Sequence, residues 1–235
     1  MGNNNFWEKR RIFPSITTTY NSNWKEKIRE AEELNLKEVC LFLTCLEKKE
    51  REEFYKMLKE TEIEKSPLVH ARSDMTKEEL GYLKENYKVE AFNIHSQKEY
   101  PLIEDWGEFK QITYIENTSV FLEPEDIKEF AGVCLDISHL EYRKIIDPTL
   151  YKNFINIANN FYCGCNHISC AKDPELLKKG LPGEKLHYLE SLSEMDYLKK
   201  YSSKYFSSII AIELENSLRE QLEVRDYVVE LLKDK

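Results

Sequence analysis

Glycine and proline are scarce in this sequence, with seven residues of each among 235. This scarcity excludes a fibrous or low-complexity chain and argues against flexible linkers between domains. The chain also lacks the apolar amino-terminal segment of a secretory signal and any run of about 18 uncharged apolar residues that could span a membrane. We therefore expect a cytoplasmic protein without a membrane partner, in which the six cysteines are reduced thiols packed as small hydrophobic side chains.

Positive charge is also in short supply. The 34 Lys and Arg residues face 43 Asp and Glu residues, which gives a formal net charge of −9. Nonspecific attraction to nucleic acid depends on Lys and Arg that meet phosphates, so this balance disfavours a nucleic-acid partner without excluding a local basic patch or bound metal ions. Hydrophobic residues make up 41% of the chain, which is enough for a large core. The oligomeric state is left open.

Short apolar segments alternate with charged amphipathic segments eight times along the chain. The predicted strands cover residues 11–18, 38–44, 67–72, 90–96, 111–117, 132–138, 164–170 and 208–215. The predicted helices cover residues 23–35, 47–61, 76–87, 123–131, 147–162, 185–201 and 217–234, and a weaker helical pattern, interrupted by proline and glycine, covers residues 97–110. Asn23, Thr76 and Ser217 are predicted to cap three of these helices. Eight strand–helix units of fewer than about 30 residues predict a parallel sheet closed into a (β/α)₈ TIM barrel. We expect a single compact α/β domain over residues 1–235 with short loops, and an open doubly wound sheet is the structural alternative.

The five histidines are concentrated near the carboxyl ends of predicted strands. His70, His95, His139 and His167 lie at such ends, and His187 follows the seventh strand in a connection that can fold over the barrel mouth. In a barrel these strand ends meet at one face, where catalytic residues collect. A single histidine at a strand end is usually structural, whereas five at one face indicate a metal centre.

Carboxylates occur on the same predicted strands as the histidines. Because side chains alternate between the two faces of a strand, Glu116 shares a face with Ile112 and Tyr114 on the fifth strand, and Asp136 shares a face with Gly132 and Cys134 on the sixth. Glu213 and Glu215 share one face of the eighth strand. The residues that precede these polar groups are narrow, as a barrel interior requires: Gly132, Cys134, Cys165 and Ala211. The polar side chains nearest the strand ends are thus predicted to point to the mouth.

Histidine nitrogens and carboxylate oxygens that converge at the mouth form a ligand set suited to a divalent metal ion. Zinc is the ion that we expect first, with manganese, magnesium or cobalt as alternatives. A cation would also explain why Glu116 follows a buried strand, since an isolated ionised carboxylate is costly to desolvate. Structural ion pairs of Glu116 or Asp136 with Arg72 or Lys172 are the alternative explanation.

Three segments on the fifth, sixth and seventh predicted strands carry a family resemblance. YIENT (114–118), GVCLDISH (132–139) and NHISCAKD (166–173), in that order, resemble the xylose-isomerase-like TIM barrels. That superfamily includes the endonuclease IV type AP endonucleases and the sugar or sugar-phosphate isomerases and epimerases. The eight-unit layout extends the resemblance over nearly the whole chain.

The resemblance to endonuclease IV implies a trinuclear zinc site. Carried over by motif, the ligands of the three ions are His70, His95 and Glu116 for the first, Glu116, Asp136, His167 and a glutamate of the eighth strand for the second, and His139 and His187 for the third. Glu213 fits the pattern of the isomerases and is favoured, whereas Glu215 fits that of the nucleases. Lys185 stands where the nucleases carry an aspartate ligand, and a protonated lysine binds no zinc, so the third ion is left open.

Two enzymatic hypotheses and one non-enzymatic hypothesis follow. The first is phosphoester hydrolysis at a multinuclear site, which the presence of both His70 and His95 favours. The alternative is a single-metal sugar or sugar-phosphate isomerase or epimerase, in which Glu116 and Glu213 act as acid and base. The expected substrate is small and phosphorylated or sugar-like, and His139 and Lys172 would hold its hydroxyls or phosphate. A metal-binding barrel without activity is the third hypothesis.

Overall fold

Nine short parallel strands surround the centre of the molecule in the computed structural model, which describes residues 6–179 and 187–235. The strands are β1 Arg11–Phe13, β2 Ser15–Thr17, β3 Cys40–Phe42, β4 Leu68–His70, β5 Ala91–Ile94, β6 Thr113–Glu116, β7 Gly132–Asp136, β8 Cys163–Ile168 and β9 Ile209–Ile212. They form one sheet in the order β1-β9-β8-β7-β6-β5-β4-β3-β2. Every predicted strand is present.

A single residue, Pro14, joins the two ends of this sheet. Strand β1 pairs with β9 and β2 pairs with β3, so these two segments are the halves of the predicted first strand. Proline has no backbone N–H and interrupts a strand ladder, while the Pro14 carbonyl accepts the N–H of Cys40 at 2.9 Å. The sheet therefore closes into an eight-stranded (β/α)₈ barrel, which confirms the predicted fold class.

Helices connect most of the strands. They are α1 Trp24–Glu33, α2 Lys48–Leu58, α3 Lys77–Tyr87, α4 Pro124–Ile127, α5 Ile137–Ile146, α6 Pro148–Asn160, α7 Pro174–Lys178 and α8 Leu218–Leu231. Short 3₁₀ helices cover Phe6–Lys9, Gly107–Ile112, Leu192–Lys200 and Ser203–Tyr205. Helices α1, α3 and α8 begin at the predicted caps, where the side chains of Asn23, Thr76 and Ser217 accept backbone N–H groups.

The helix predictions were wrong in several places. The strand predicted over residues 132–138 ends at Asp136, and the unpredicted helix α5 begins directly after it. The predicted helix over residues 185–201 is a 3₁₀ helix at Leu192–Lys200, and its first two residues lie outside the described part of the chain. Residues 97–110 contain no α-helix, because a proline interrupts them and Gly107 adopts a φ of 53°.

Two apolar cores hold the barrel together. The larger core lies between the strands and the helices, and the smaller one fills the barrel interior, where it includes the predicted Cys134, Cys165 and Ala211. The half-buried Tyr114 packs against this interior core. Its ring crosses Gly164 so closely that a Cβ there would lie 2.1 Å from ring carbons. Glycine is therefore the residue that lets the tyrosine pack inside.

Two further expectations concern the whole chain. The six cysteines are free thiols, of which Cys40, Cys134, Cys165 and Cys170 are buried. Among the described residues, no helix combines the length and the apolar character that a membrane span requires.

Candidate metal centre

The carboxyl ends of five strands bring polar side chains together at the inner mouth of the barrel. His70, Glu116 and Asp136 are the last residues of β4, β6 and β7, His167 lies near the end of β8, and Glu213 directly follows β9. Each of these five residues is at most 9% exposed. Parallel strands end at the same face of a barrel, so these five of the predicted site residues lie together at the mouth.

Two overlapping sets of donor atoms lie close enough to share an ion. Glu116, Asp136, His167 and Glu213 form one set, and His70, Glu116 and His167 form the other, with all donor atoms of a set within 4.8 Å of one another. The Nδ1 atom of His167 lies 3.5 Å from Glu116 Oε2 and 3.4 Å from Glu213 Oε2. Donors about 2 Å from one zinc ion lie about 3.4 Å apart. The spacing therefore fits a metal ion.

Buried atoms without partners provide an independent test of this fit. Four buried side-chain oxygen or nitrogen atoms in the described part of the chain have no hydrogen-bond partner, and three of them are Asp136 Oδ2, His167 Nδ1 and Glu213 Oε2. A buried polar atom left unsatisfied costs about 1–3 kcal/mol. A divalent cation between these three atoms would satisfy all of them, so the buried His/Glu/Asp group is compatible with a metal site.

Asn93 orients two of the donors. Its Nδ2 donates to Glu116 Oε2 at 2.9 Å, and its Oδ1 lies 3.3 Å from His167 Nε2. When His167 donates Nε2–H to this oxygen, its Nδ1 keeps a lone pair directed to the two glutamates. Hydrogen-bond partners that fix the tautomer in this way are typical of histidine ligands in metal sites.

His70 contacts the same Glu116 oxygen as Asn93 and His167. Its Nε2 lies 2.8 Å from Glu116 Oε2, and its Nδ1 lies 3.3 Å from the carbonyl oxygen of Ala71. If Nδ1–H donates to that carbonyl, Nε2 presents a lone pair to a carboxylate oxygen. The two atoms then need a shared cation or a proton between them.

Asp136 serves both the helix and the site. Its Oδ1 accepts the backbone N–H of His139 at 2.8 Å and the hydroxyl of Ser138, and thereby caps α5. Its Oδ2 is the unpartnered atom of the donor set. The Asn117 side chain bonds both the N–H and the carbonyl of Asp136, at 2.7 and 3.0 Å. Asn117 therefore fixes the backbone of Asp136 on both sides of its Cα atom.

His139 lies in the first turn of α5 rather than at the strand end where the sequence placed it. Its Nδ1 lies 3.0 Å from the carbonyl oxygen of Asn117, 3.6 Å from Asp136 Oδ2 and 3.7 Å from Glu116 Oε1. Burial alone would lower the pKa of this imidazole, but the Asp136 and Glu116 carboxylates outweigh burial and raise it.

The pKa shifts of the three buried carboxyl groups differ in direction. Burial alone would raise the pKa of Glu116, but the neighbouring imidazoles of His167 and His70 hold it well below its usual range. Burial would likewise raise the pKa of Glu213, which nearby imidazoles lower to about 2. Burial dominates at Asp136, so the pKa of that carboxyl is raised. The site thus favours two ionised glutamates even without a metal ion.

The remaining predicted histidines lie beside the donor sets. The ring of His95 lies 4.9 Å from that of His70, and burial lowers its pKa. His187 Nδ1 lies 3.4 Å from the Glu213 carbonyl, and the rings of His187 and His139 are 6.4 Å apart. None of His95, His139 and His187 belongs to either donor set, so their roles as ligands stay predictions.

The structure places the two candidate glutamates of the eighth strand differently. Glu213 belongs to the larger donor set, whereas Glu215 accepts the hydroxyl of Thr19 at 2.7 Å and belongs to neither set. Lys185, which bears on the third ion, lies outside the described residues.

The alternative explanation by ion pairs with Arg72 or Lys172 was wrong. Arg72 donates to Asp74 at 3.0 Å, and Lys172 donates to both oxygens of Glu194 at 2.9 Å. The carboxylates of Glu116 and Asp136 instead face imidazoles.

A cavity of about 640 Å³ opens above the donor sets. Its volume suits a small-molecule ligand. Seven predicted site residues line it: His70, His95, Glu116, His139, Lys172, His187 and Glu213. The sequence reasoning missed Asn93 and Asn117, although both are polar residues within or next to predicted buried strands, which is the signal that could have found them.

Comparison with known proteins finds no matching family model and no matching curated sequence. The class that the fold and the site define is therefore a (β/α)₈ barrel with a buried histidine and carboxylate group that could hold a metal ion.

Proposed function

We propose that the chain is a divalent-metal-dependent enzyme that hydrolyses a phosphoester of a small substrate. The observation that carries the proposal is the convergence of three buried, unpartnered donor atoms, Asp136 Oδ2, His167 Nδ1 and Glu213 Oε2. Mixed imidazole and carboxylate donors favour zinc, with manganese, magnesium and cobalt as the other candidates. The six free thiols support the proposed cytoplasmic location.

The number of imidazoles supports hydrolysis over single-metal chemistry. The ring of His70 lies 4.9 Å from that of His95 and 5.4 Å from that of His167, and His139 and His187 form a second ring contact. One ion in the larger donor set uses only His167. The additional imidazoles suit further ions, in agreement with the motif resemblance to endonuclease IV. The cavity volume and the acidic chain favour a substrate smaller than duplex DNA.

Each residue has a definable task in such a site. Bound divalent ions supply Lewis acidity toward a phosphoryl or carbonyl oxygen. Glu116, Asp136, His167 and Glu213 would hold ions, and Asn93 keeps His167 in the required tautomer. His139 donates Nδ1–H to the Asn117 carbonyl, which leaves Nε2 to exchange a hydrogen bond with a substrate oxygen in the cavity.

A second candidate is a sugar or sugar-phosphate isomerase or epimerase. It is favoured by the placement of Glu116 and Glu213, whose Oε2 atoms lie at similar distances from His167 Nδ1. Two glutamates in one cavity can act as acid and base on a substrate carbon. Lys172 is less suited to the phosphate-binding role predicted for it, because Glu194 already engages its ammonium group.

Metal content tests these candidates. We would measure it by elemental mass spectrometry on protein purified without added metal, with Asp136→Asn as the comparison. Two or more zinc ions per chain, reduced in the variant, support hydrolysis and direct a screen of phosphoesters. One manganese, magnesium or cobalt ion supports the isomerase. Metal without turnover of either substrate class supports a non-catalytic barrel, and no metal after reconstitution contradicts all three.

A further inference from the structure

The cations that line the metal-site cavity differ in their pairing. Apart from histidine, they are Arg72, Arg143 and Lys172 among the residues that the structure describes. The guanidinium of Arg72 is neutralised by Asp74 at 3.0 Å, and the ammonium of Lys172 is neutralised by Glu194 at 2.9 Å. These two cations are therefore already paired with carboxylates of the protein.

Arg143 is different, because it forms no ion pair within residues 6–179 and 187–235. Its Nε donates to the backbone carbonyl of Thr118 at 3.3 Å, and its guanidinium carbon lies 5.4 Å from the ring centre of Tyr142. Arginine has five N–H donors in a planar fork, so the bond from Nε orients the plane and leaves the terminal amino groups as donors. The half-buried side chain carries a positive charge at the cavity, and no described residue provides a counter-ion.

The other acidic side chains of the cavity do not supply that counter-ion. Glu99 accepts the hydroxyls of Thr118 and Ser119, and Glu141 accepts Lys200 Nζ at 2.6 Å and Tyr201 OH at 2.9 Å. Among the described residues, Arg143 is therefore the cation outside the metal centre that remains available to an anion in the cavity.

Helix α5 sets the position of this cation relative to the metal centre. The helix begins directly after Asp136, and His139 and Arg143 are four residues apart on it. Residues four apart lie on the same helix face, with Cβ atoms about 6 Å apart, and both side chains line the cavity. A group bound by Arg143 would thus lie about one helical turn beyond the histidine that faces the reacting centre.

We propose that Arg143 binds a terminal oxyanion of the substrate, a phosphate or a carboxylate, while the reacting group of the same molecule lies at the Glu116 donor set. Paired donation to an oxyanion is the geometry for which a guanidinium is suited. The substrate class is then a small molecule with a reactive oxygen function at one end and an anionic group at the other. The assignment of the reacting end rests on the proposed metal function, whereas the anion subsite does not.

Calorimetric titration of the purified full-length protein tests the proposal, with glycerol 3-phosphate, glycerate and glycerol as probes. The phosphate or the carboxylate probe should bind, and glycerol should not. Arg143→Met should weaken that binding at least about tenfold, because a charge-assisted hydrogen bond is lost. The affinity of Arg143→Lys should lie between those of wild type and Arg143→Met, because lysine retains the charge but lacks the planar fork of donors. Arg225→Met removes an arginine that is paired with Asp226 on α8 and serves as the matched control.

Comparison of the two anionic probes identifies the oxyanion. Equal affinities of wild type, Arg143→Met and Arg143→Lys, or a wild-type dissociation constant above about 10 mM for both anions, would overturn the proposal. Metal content of the same samples separates the two proposals. Anion binding that depends on Arg143 in protein that takes up no metal contradicts the metal function alone. Normal metal content with unchanged anion binding in the variants contradicts the anion subsite alone.

Discussion

Glu116 is the carboxylate shared by both donor sets, which also have His167 in common. Its carboxylate faces His70 at 2.8 Å and His167 at 3.5 Å and is held by Asn93. Its negative charge therefore balances imidazoles in the protein alone and would balance a cation when one is bound.

We expect Glu116→Gln to lower zinc affinity about 100-fold or more, because removal of a ligand charge exceeds the 10–100-fold effect of losing a supporting hydrogen bond. Competition with a chromogenic chelator measures this change. Glu215→Gln is the matched control, since Glu215 lies nearby but contacts Thr19 instead of the donor sets. Loss of metal from the Glu215 variant and not from a Glu213→Gln variant would contradict the assignment.

Lys27 is a buried cation outside the site. Its Nζ donates to Thr17 Oγ1 and to the Leu214 carbonyl, both at 2.7 Å, and the residue is 3% exposed. Burial lowers its pKa from 10.5 to about 7, although Glu215 and other carboxylates act in the opposite direction. Between these values the unfolded chain binds more protons than the folded protein, so the stability contributed at this residue rises with pH over that window.

Lys27→Met should therefore stabilise the protein at pH 6.5, by about 2 kcal/mol or more. The advantage should shrink as pH rises toward 10, because the wild-type lysine is then neutral in the folded state. Urea unfolding of both proteins at several pH values gives the difference in free energy of unfolding. A difference that does not change with pH would show that Lys27 is charged in the fold throughout.

At the scale of elements, the start of helix α5 depends on a residue, Asp136, that also belongs to the candidate site. Asp136 ends β7, caps α5 through Oδ1 and directs Oδ2 to the donor set. The predicted strand runs on to Ser138 because Ile137 continues the apolar run, and the cap outweighs that preference. The turn from β7 to α5 therefore places His139 and Arg143 along the cavity wall.

The packing of β6 against β8 gives a prediction at the same scale. A methyl group at Gly164 would lie 2.1 Å from ring carbons of Tyr114, so Gly164→Ala should destabilise the protein by about 2–3 kcal/mol. Chemical unfolding measures this effect, and a simultaneous Tyr114→Leu substitution should recover part of the loss.

Gly81→Ala on α3 is the control for this experiment. Its added methyl group meets only Phe109, at 3.9 Å, so it should be neutral or stabilising because alanine has the higher helix propensity. Equal effects of the two alanine substitutions would contradict the close packing described for Tyr114.

At the scale of the whole molecule, the donor sets join strands that are distant in sequence. His70 and Glu213 are contributed by β4 and by the residue after β9, on different sides of the barrel mouth. A bound ion would therefore link several strands of the closed sheet, and a ligand that binds only the folded state stabilises it.

Removal of metal should consequently lower the melting temperature. A site occupied at about 100 times its dissociation constant contributes about 2.7 kcal/mol, which corresponds to roughly 5–10 °C for a chain of this size. Differential scanning calorimetry before and after chelation, and after zinc is restored, measures the shift. Glu116→Gln should show little response to the chelator, and an equal shift in wild type and variant would place the metal elsewhere.

The local pattern of the sequence was sufficient to predict the barrel fold and most of the candidate ligands. Eight apolar runs predict eight strands, and alternation along a strand assigns Glu116, Asp136 and His167 to the inward face, because that periodicity is a property of the backbone itself. The caps at Asn23 and Ser217 depend only on neighbours three residues away and were predicted for the same reason. The helix after Asp136 was missed because its cap competes with an apolar run.

Only the tertiary structure decided which partner each polar side chain meets. The place of Glu213 in a donor set, the engagement of Lys172 by Glu194, the support from Asn93 and the lack of an ion pair at Arg143 among the described residues depend on residues far apart in sequence. Hydrogen bonds and ion pairs require approach within about 3–4 Å, a condition that neither composition nor periodicity contains. The closed sheet brings these groups to that distance, and residues that are separated in the sequence thereby form one candidate site.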